Sequence, residues 1–326
     1  MAADELGEFE RIARFFAPLA GPGGLELLDD AALVECRAGR QLVVTADAIV
    51  AGVHYLPDDP AELVARKLLR VNLSDLAAMG ARPLHYVLTT ALPPEIGPEW
   101  LGRFAEGLGE DQRRFGIDLL GGDSVGTVGP AVLSLTAIGE VRAGKAVRRS
   151  GAKPGDLVWV SGTIGDAYLG LRLLRGEYSE LSPEHRVYLV RRFQTPDPRT
   201  ELGPLLCAIA HAMIDVSDGL LADLGHICKA SHVAAVVELD LLPLSPAAKV
   251  IVERDPAIRL RLATRGDDYE LLFAAPADAA ERIVAHSSRL DVPIARIGRI
   301  EPGAGVRLTD AHGRAIAVEQ AGYRHF

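Results

Sequence analysis

The apolar positions change period along the chain, and each change marks an element. Phe9, Ile12, Ala13 and Phe16 recur at helical spacing and stop before Gly21-Pro22-Gly23-Gly24, which predicts a short opening helix and then a loop. Gln41 to Asp47 reads as a buried strand ending in a hydroxyl and an acid, Thr45 and Asp47. From Ala61 to Ala81 the spacing is helical again, with Gly80 as C-cap and Pro83 beyond it. His85 to Leu92 is a strand and Glu99 to Phe115 a helix; Ile117 to Leu120 is a strand running straight into Gly121-Gly122-Asp123-Ser124, where the glycines either make a turn or, as the following Asp favours, let backbone approach a ligand, and Val132 to Val141 is another strand. The second half repeats this scheme. A strand at Leu157 to Val160 feeds a helix through Leu174, and a polar segment of helix and loops runs from Gly176 to Arg199. The apolar run Leu205 to Ala212 leads to a turn, Met213 to Gly219, that enters a helix through Leu220, Leu221, Leu224 and Ile227. Val233 to Leu239 is a strand, and the acidic turn Arg265 to Tyr269 runs into one more. Strands alternating with helices in this way predict a mixed α/β protein.

Length then divides the pattern. At 326 residues the chain exceeds what one core usually organises, and the basic, turn-rich stretch Arg148 to Asp156 is the natural join, giving expected domains at 1–148 and 149–326. Hydrophobic residues at 48% and charged ones at 24% are ordinary for a soluble globular protein. A net charge of −9 excludes a broad basic face for nucleic acid and a polybasic membrane anchor, so an anionic ligand would need a metal between it and the protein. Cys36, Cys207 and Cys228 form no C-x-x-C pair and are expected to be small buried hydrophobes. No run of 18 apolar residues and no basic leader is present, so the expected location is the cytoplasm.

The carboxylates carry the chemistry. Asp29-Asp30 is wedged between apolar segments; Asp47 closes a strand; Asn72 and Asp75 share a helix face beside the apolar stripe; Asp123 follows two glycines; Asp215 and Asp218 flank Ser217. Ser217 or Asp218 could simply cap the following helix, but one cap needs one residue, and the surplus acid points to a hard cation that takes carboxylate and hydroxyl oxygens. Several Mg²⁺ ions holding phosphates fit this set, with Asp47, Asp75, Asp123 and Asp215 expected to act together. A carboxylate-bridged metal hydrolase is the runner-up, although the nine histidines include no spacing such as H-E-x-x-H, and a non-enzymatic metal-binding module is a third reading. His54 is either a structural histidine or part of the site, and Arg149 either forks onto a phosphate or belongs to a basic linker.

The ordered set Thr45-x-Asp47, His54, Asn72-Leu73-Ser74-Asp75-Leu76-Ala77-Ala78-Met79-Gly80-Ala81, Gly121-Gly122-Asp123, Arg149-Ser150-Gly151-Ala152, Asp215-Val216-Ser217-Asp218-Gly219-Leu220 and Asp268-Tyr269-Glu270-Leu271 resembles the thiamine-monophosphate kinase family. That family belongs with the aminoimidazole-ribonucleotide and selenophosphate synthetases. The resemblance implies a two-domain synthetase-like fold, with an N-terminal sheet that pairs across a homodimer into a barrel and a C-terminal α/β domain completing the site. It also implies transfer of a phosphoryl group from ATP to thiamine monophosphate. By motif, Asp30, Thr45, Asp47, Asp75, Asp123, Asp215 and Asp218 would hold magnesium; Gly122, Asp123, Arg149 and Ser217 would meet ATP; His54, Asp267 and Tyr323 would face the acceptor. Two positions depart from the family: Arg265-Gly266-Asp267 replaces the common Gly-Gly-Glu, and Ala46 stands where a second hydroxyl is frequent.

Overall fold

The computed structural model of the chain describes residues 7–29 and 31–323. It divides into two units, one built from the chain up to Leu76 together with Ala81–Gly144, the other from Ala77–Gly80 and everything from Lys145 onward.

The first unit opens with α1 (Glu8–Arg11), which widens into a π-helical turn at Ile12–Phe16. The side chains it buries are Phe15 and Phe16, while Ala13 faces solvent. Then follow β1 (Arg40–Val50), α2 (Ala61–Ala78), β2 (Arg82–Leu92), α3 (Pro98–Phe115), β3 (Asp118–Gly126) and β4 (Val132–Arg142). The strands form one sheet in the order β1-β4-β2-β3, antiparallel except for β2 with β3. Along β4, Leu133, Leu135 and Ala137 are buried in alternation with half-buried neighbours, as the two-residue period of a strand with one covered face requires. Helices α2 and α3 are clamped by a buried pair: Arg70 Nε and Nη2 donate to Asp111 at 2.6 and 2.9 Å.

Two expectations change here. The 41–47 segment is not a buried strand: β1 lies at the sheet edge, and its outward positions Leu42 and Val44 are 38% and 61% exposed. The same alternation turns Val43, Thr45, Asp47 and Ile49 toward the covered side. Gly121-Gly122-Asp123-Ser124 is not a turn but the middle of β3, where Gly122 lies opposite Leu88 so closely that a Cβ would stand 1.7 Å from the Leu88 carbonyl oxygen.

The second unit contains β5 (Leu157–Ser161), α4 (Asp166–Leu174), α5 (Pro183–Gln194), α6 (Leu202–Leu206), β6 (Ala212–Asp215), α7 (Leu220–Ser231), β7 (Ala234–Glu238), α8 (Pro246–Arg254), α9 (Ile258–Thr264), β8 (Leu271–Ala275), α10 (Ala280–Leu290), β9 (Ile294–Glu301), β10 (Gly305–Thr309) and β11 (Ala315–Ile316). The strands run β11-β10-β7-β9-β5-β8-β6 in one mixed sheet. Both faces are covered, which is why these strands read as continuous apolar runs. Val158, Val160, Ile214, Leu272 and Ala274 enter one core with Leu220, Leu224 and Ile227 of α7. Their alternating neighbours Trp159, Met213, Leu271 and Phe273 enter a second core with Ile283 of α10. Asp215 shares the strand face of Met213 and closes β6, so it ends a strand instead of lying in a turn. Cys228 is buried as expected, but Cys36 is exposed. No helix among the described residues is long and apolar enough to cross a membrane.

Candidate active site

In the first unit, the covered face of β1 and one face of α2 bring together Thr45, Asp47, Asn72 and Asp75. The Thr45 hydroxyl donates to Asp75 Oδ2 at 2.5 Å, and the Asp47 amide donates to Asn72 Oδ1 at 3.1 Å. Asn72, fully buried, anchors itself by donating to the Leu68 carbonyl at 2.9 Å, so it fixes the strand against the helix. Burial, and then the neighbouring Asp75 charge, pushes the Asp47 carboxyl up to about 6. Two crowded carboxylates with a hydroxyl form an all-oxygen donor set, which a divalent hard cation fits and which it would relieve of its charge repulsion.

His54 lies in the turn after β1. Its Nδ1 accepts the Val50 amide at 3.1 Å, and its carbonyl accepts from Lys67 Nζ at 2.9 Å. That nitrogen is committed to the backbone, which ties the ring's orientation to the end of β1.

Gly122 and Asp123 lie on the opposite edge strand. Asp47 pairs with Leu135, Leu135 with Leu88 and Leu88 with Gly122, so three inter-strand steps of about 4.8 Å each separate the rows. Within one chain, Asp47 with Asp75 is one group and Asp123 another, in place of the single cluster the sequence suggested. Asp123 Oδ1 accepts the Ser124 amide at 2.8 Å, and Ser124 Oγ accepts from Thr90 at 3.0 Å. These residues line a cavity of about 450 Å³ with Asp29, Phe16, Leu27 and Thr89. Asp30 lies outside the described residues.

In the second unit, the segment after β6 is laid along the 265–270 loop. Val216 N donates to Glu270 O at 2.9 Å, Asp267 N to Ser217 O at 2.9 Å and Tyr269 N to Val216 O at 2.8 Å. Gly266 permits this approach, since a Cβ there would stand 1.8 Å from the Ser217 oxygen. Neither Ser217 nor Asp218 caps α7. The amides of Ser217, Asp218 and Gly219 all point at Asp223 Oδ2, at 3.1, 3.2 and 3.1 Å. Burial, with the Asp218 charge adding to it, raises the Asp223 carboxyl to about 7. Asp218, Asp223 and His226 bring ligand atoms within 4.8 Å of one another around the start of α7.

Asp267 Oδ1 accepts from the Tyr269 hydroxyl at 3.3 Å, and Asp215 is buried. Tyr323, its amide on the Asp218 carbonyl at 2.9 Å, lines a cavity of about 470 Å³ with Asp218, Leu221 and His226. The Arg149 side chain is exposed, and its carbonyl accepts from Ser231 Oγ, which in turn receives the Gly151 and Ala152 amides.

Comparison with known proteins decides the family. Residues 28–141 match the family model of AIR synthase related protein, N-terminal domain, and residues 153–311 that of the C-terminal domain. Thiamine-monophosphate kinase of Caulobacter vibrioides is 43% identical over 323 residues, covering 98% of this chain and 90% of that one. The chain belongs to the thiamine-monophosphate kinase family. The Escherichia coli K12 member is 39% identical over 324 residues, 98% of both chains. The Stenotrophomonas maltophilia thiamine-monophosphate kinase structure superposes with a TM-score of 0.81 at 45% identity, covering 89% of this chain and 91% of that one. AaThiL complexed with AMPPCP and TMP superposes with a TM-score of 0.77 at 32% identity, covering 100% and 99%. Hydrogenase maturation protein HypE in complex with ATP has a TM-score of 0.78 at 21% identity, over 98% of this chain and 97% of that one, which speaks for the shared fold alone.

Asp268 and Glu270 belong to the Asp-Tyr-Glu-Leu motif but carry no assigned role in it, and Asp223 stands outside every motif of the resemblance. Asp223 is an acid inside the apolar stripe of α7, just as Asp75 is in α2.

Proposed function

We propose that the chain transfers the γ-phosphoryl group of ATP to thiamine monophosphate, giving thiamine diphosphate and ADP. The observation that carries this reading is its full-length similarity to AaThiL, whose complex holds AMPPCP, an ATP analogue with a carbon bridge, together with TMP. The motif residues of the resemblance stand in the same chain, in the settings described above.

Thr45, Asp47 and Asp75 form one magnesium-binding group, with Asp123, Asp215 and Asp218 as further ligands and Asp30 assigned by its motif alone. Bound Mg²⁺ would neutralise phosphate charge, which the many carboxylates of an acidic protein cannot do by themselves. Gly122, Asp123, Arg149 and Ser217 meet the nucleotide, and the exposed guanidinium of Arg149 supplies a fork for a phosphate. His54, Asp267 and Tyr323 face the acceptor.

The acceptor is a phosphate monoester, with a second pKa of about 6, so near neutral pH it is already a dianion and needs no general base. What the chain's residues must do is hold two anions in line and relieve their repulsion. His54 Nδ1 accepts the Val50 amide, which leaves the proton of the neutral ring on Nε2 and neither nitrogen with a free lone pair for phosphorus, so His54 orients substrate instead of carrying phosphate. The first unit pairs with that of a second copy through its exposed sheet, and the apolar Leu42 and Val44 on the open face of β1 support this arrangement.

The test is incubation of purified protein with ATP, Mg²⁺ and either thiamine or thiamine monophosphate. Thiamine diphosphate is expected from the monophosphate only. Breakdown of ATP regardless of acceptor would favour a metal hydrolase.

A further inference from the structure

The loop that carries Asp267 is held by a buried charge cluster to which nothing above gives a role. Asp267 and Tyr269 both have left-handed backbones, with φ of 70° and 52°, a conformation that residues with a Cβ seldom adopt. On one side their amides are zipped to Ser217 and Val216. On the other side the peptide between them is pinned twice. The Asp268 carboxylate accepts the Gly165 and Ala167 amides at the start of α4, at 2.7 and 3.3 Å, and its carbonyl accepts from Arg192 Nη2 at 3.1 Å. Arg192 is in turn fixed by Glu270 Oε1 at 2.9 Å.

Glu270 is wholly buried and accepts from Arg192, Arg199 and Ser161. Arg199 forks onto both of its oxygens, Ser161 Oγ donates to Oε2 at 2.6 Å, and Gly162 leaves room for the carboxylate, since a Cβ there would stand 2.0 Å from Oε1. Burial works against this charge, but Arg199 and Arg192 outweigh it and hold the carboxyl below the usual Glu range. A buried ion triad is a poor source of stability, because apolar residues of the same volume do as well or better. What it does supply is a fixed geometry for the backbone it grips.

We propose that Glu270, held by Arg192 and Arg199, is a positioning residue that fixes the strained 267–269 backbone and so aims Asp267 at the acceptor. This inference rests on the proposed phosphorylation of thiamine monophosphate with Asp267 at the acceptor. It adds that the fork from Arg199 to Glu270 governs acceptor affinity without touching either substrate.

The experiment is a double-mutant cycle in the full-length protein, with KM for each substrate, kcat and thermal unfolding measured on every variant. Arg199→Lys keeps the charge and removes the two-point fork. It is expected to raise KM for thiamine monophosphate roughly tenfold while leaving KM for ATP and the unfolding midpoint near the wild-type values. In an Asp267→Ala background the same change is expected to do nothing more, because the fork acts through Asp267. If Arg199→Lys does not fold, Ser161→Ala carries the same cycle by removing one hydrogen bond to Glu270; because Ser161 Oγ also accepts the Leu271 amide, its unfolding midpoint is expected to fall as well, and the cycle is then read on KM for thiamine monophosphate. Independent, multiplying effects on KM in the two backgrounds, or a lowered unfolding midpoint with unchanged KM, would overturn the positioning role while the activity stands. A wild-type protein that forms no thiamine diphosphate would overturn the proposed function, and this inference with it.

Discussion

Asp47 shows how one residue links the fold to the ion it is proposed to hold. Its carboxyl titrates at about 6 in the folded chain against 3.8 in a model peptide, because burial and Asp75 both oppose its charge. The folded state therefore keeps a proton that the unfolded state has lost. This group's contribution to the stability of the metal-free protein is complete below pH 3.8 and is lost as the pH rises through about 6. A magnesium ion competes with that proton. The apparent Mg²⁺ affinity is thus expected to climb as the pH is raised through this window and to level off above it, with a slope of at most about one proton per ion. Mg²⁺ titrations followed by activity across the window check this, and Asp47→Asn should flatten the slope and cost about 10²-fold in turnover. A slope that survives the substitution would remove Asp47 from the metal group. At this scale much was legible. An acid beside an apolar stripe is costly unless it has a partner, and that rule singled out Asp75 from sequence. The same rule applies to Asp223, but Ser217 and Asp218 have the composition of helix caps, while the acid that gathers all three amides lies four to six residues downstream.

At the scale of elements, period and punctuation located the strand at 85–92 and the helix at 99–115 to within a few residues of β2 and α3. Neighbours in the sheet could not be read this way. The pair Gly121-Gly122 signalled a turn, whereas β3 runs through it, because the glycines serve a close parallel pairing with β2 and not a reversal of the chain. Likewise, β1 has the composition of a buried strand, yet it is an edge, and edge position is decided by which strand pairs with which. The close pairing makes its own prediction. Gly122→Ala would drive a methyl into the Leu88 carbonyl, while a Cβ at Gly121 meets nothing within 4 Å. Urea unfolding is expected to show a loss of about 1–3 kcal/mol for Gly122→Ala and little change for Gly121→Ala. Equal stability of the two variants would mean that β2 and β3 do not pack as closely as described.

For the whole molecule, two sheets of different construction underlie the proposal. The sheet of the second unit is covered on both faces by its own helices and needs no partner. The first sheet leaves Leu42 and Val44 exposed on β1, and its proposed pairing with a second copy rests on that exposure together with the family resemblance. Sedimentation equilibrium at micromolar concentration is expected to give about twice the 34.8 kDa chain mass, with Val44→Lys shifting the protein toward monomer. A wild-type protein that stays at the chain mass would contradict the dimer. The central claim is direct transfer from ATP to a phosphate acceptor that needs no base and forms no phosphoenzyme, and it is tested most directly by stereochemistry. ATP made chiral at the γ-phosphorus should yield thiamine diphosphate with that centre inverted, the mark of one in-line displacement. Net retention, or phosphate trapped on His54, would mean two displacements and contradict the account.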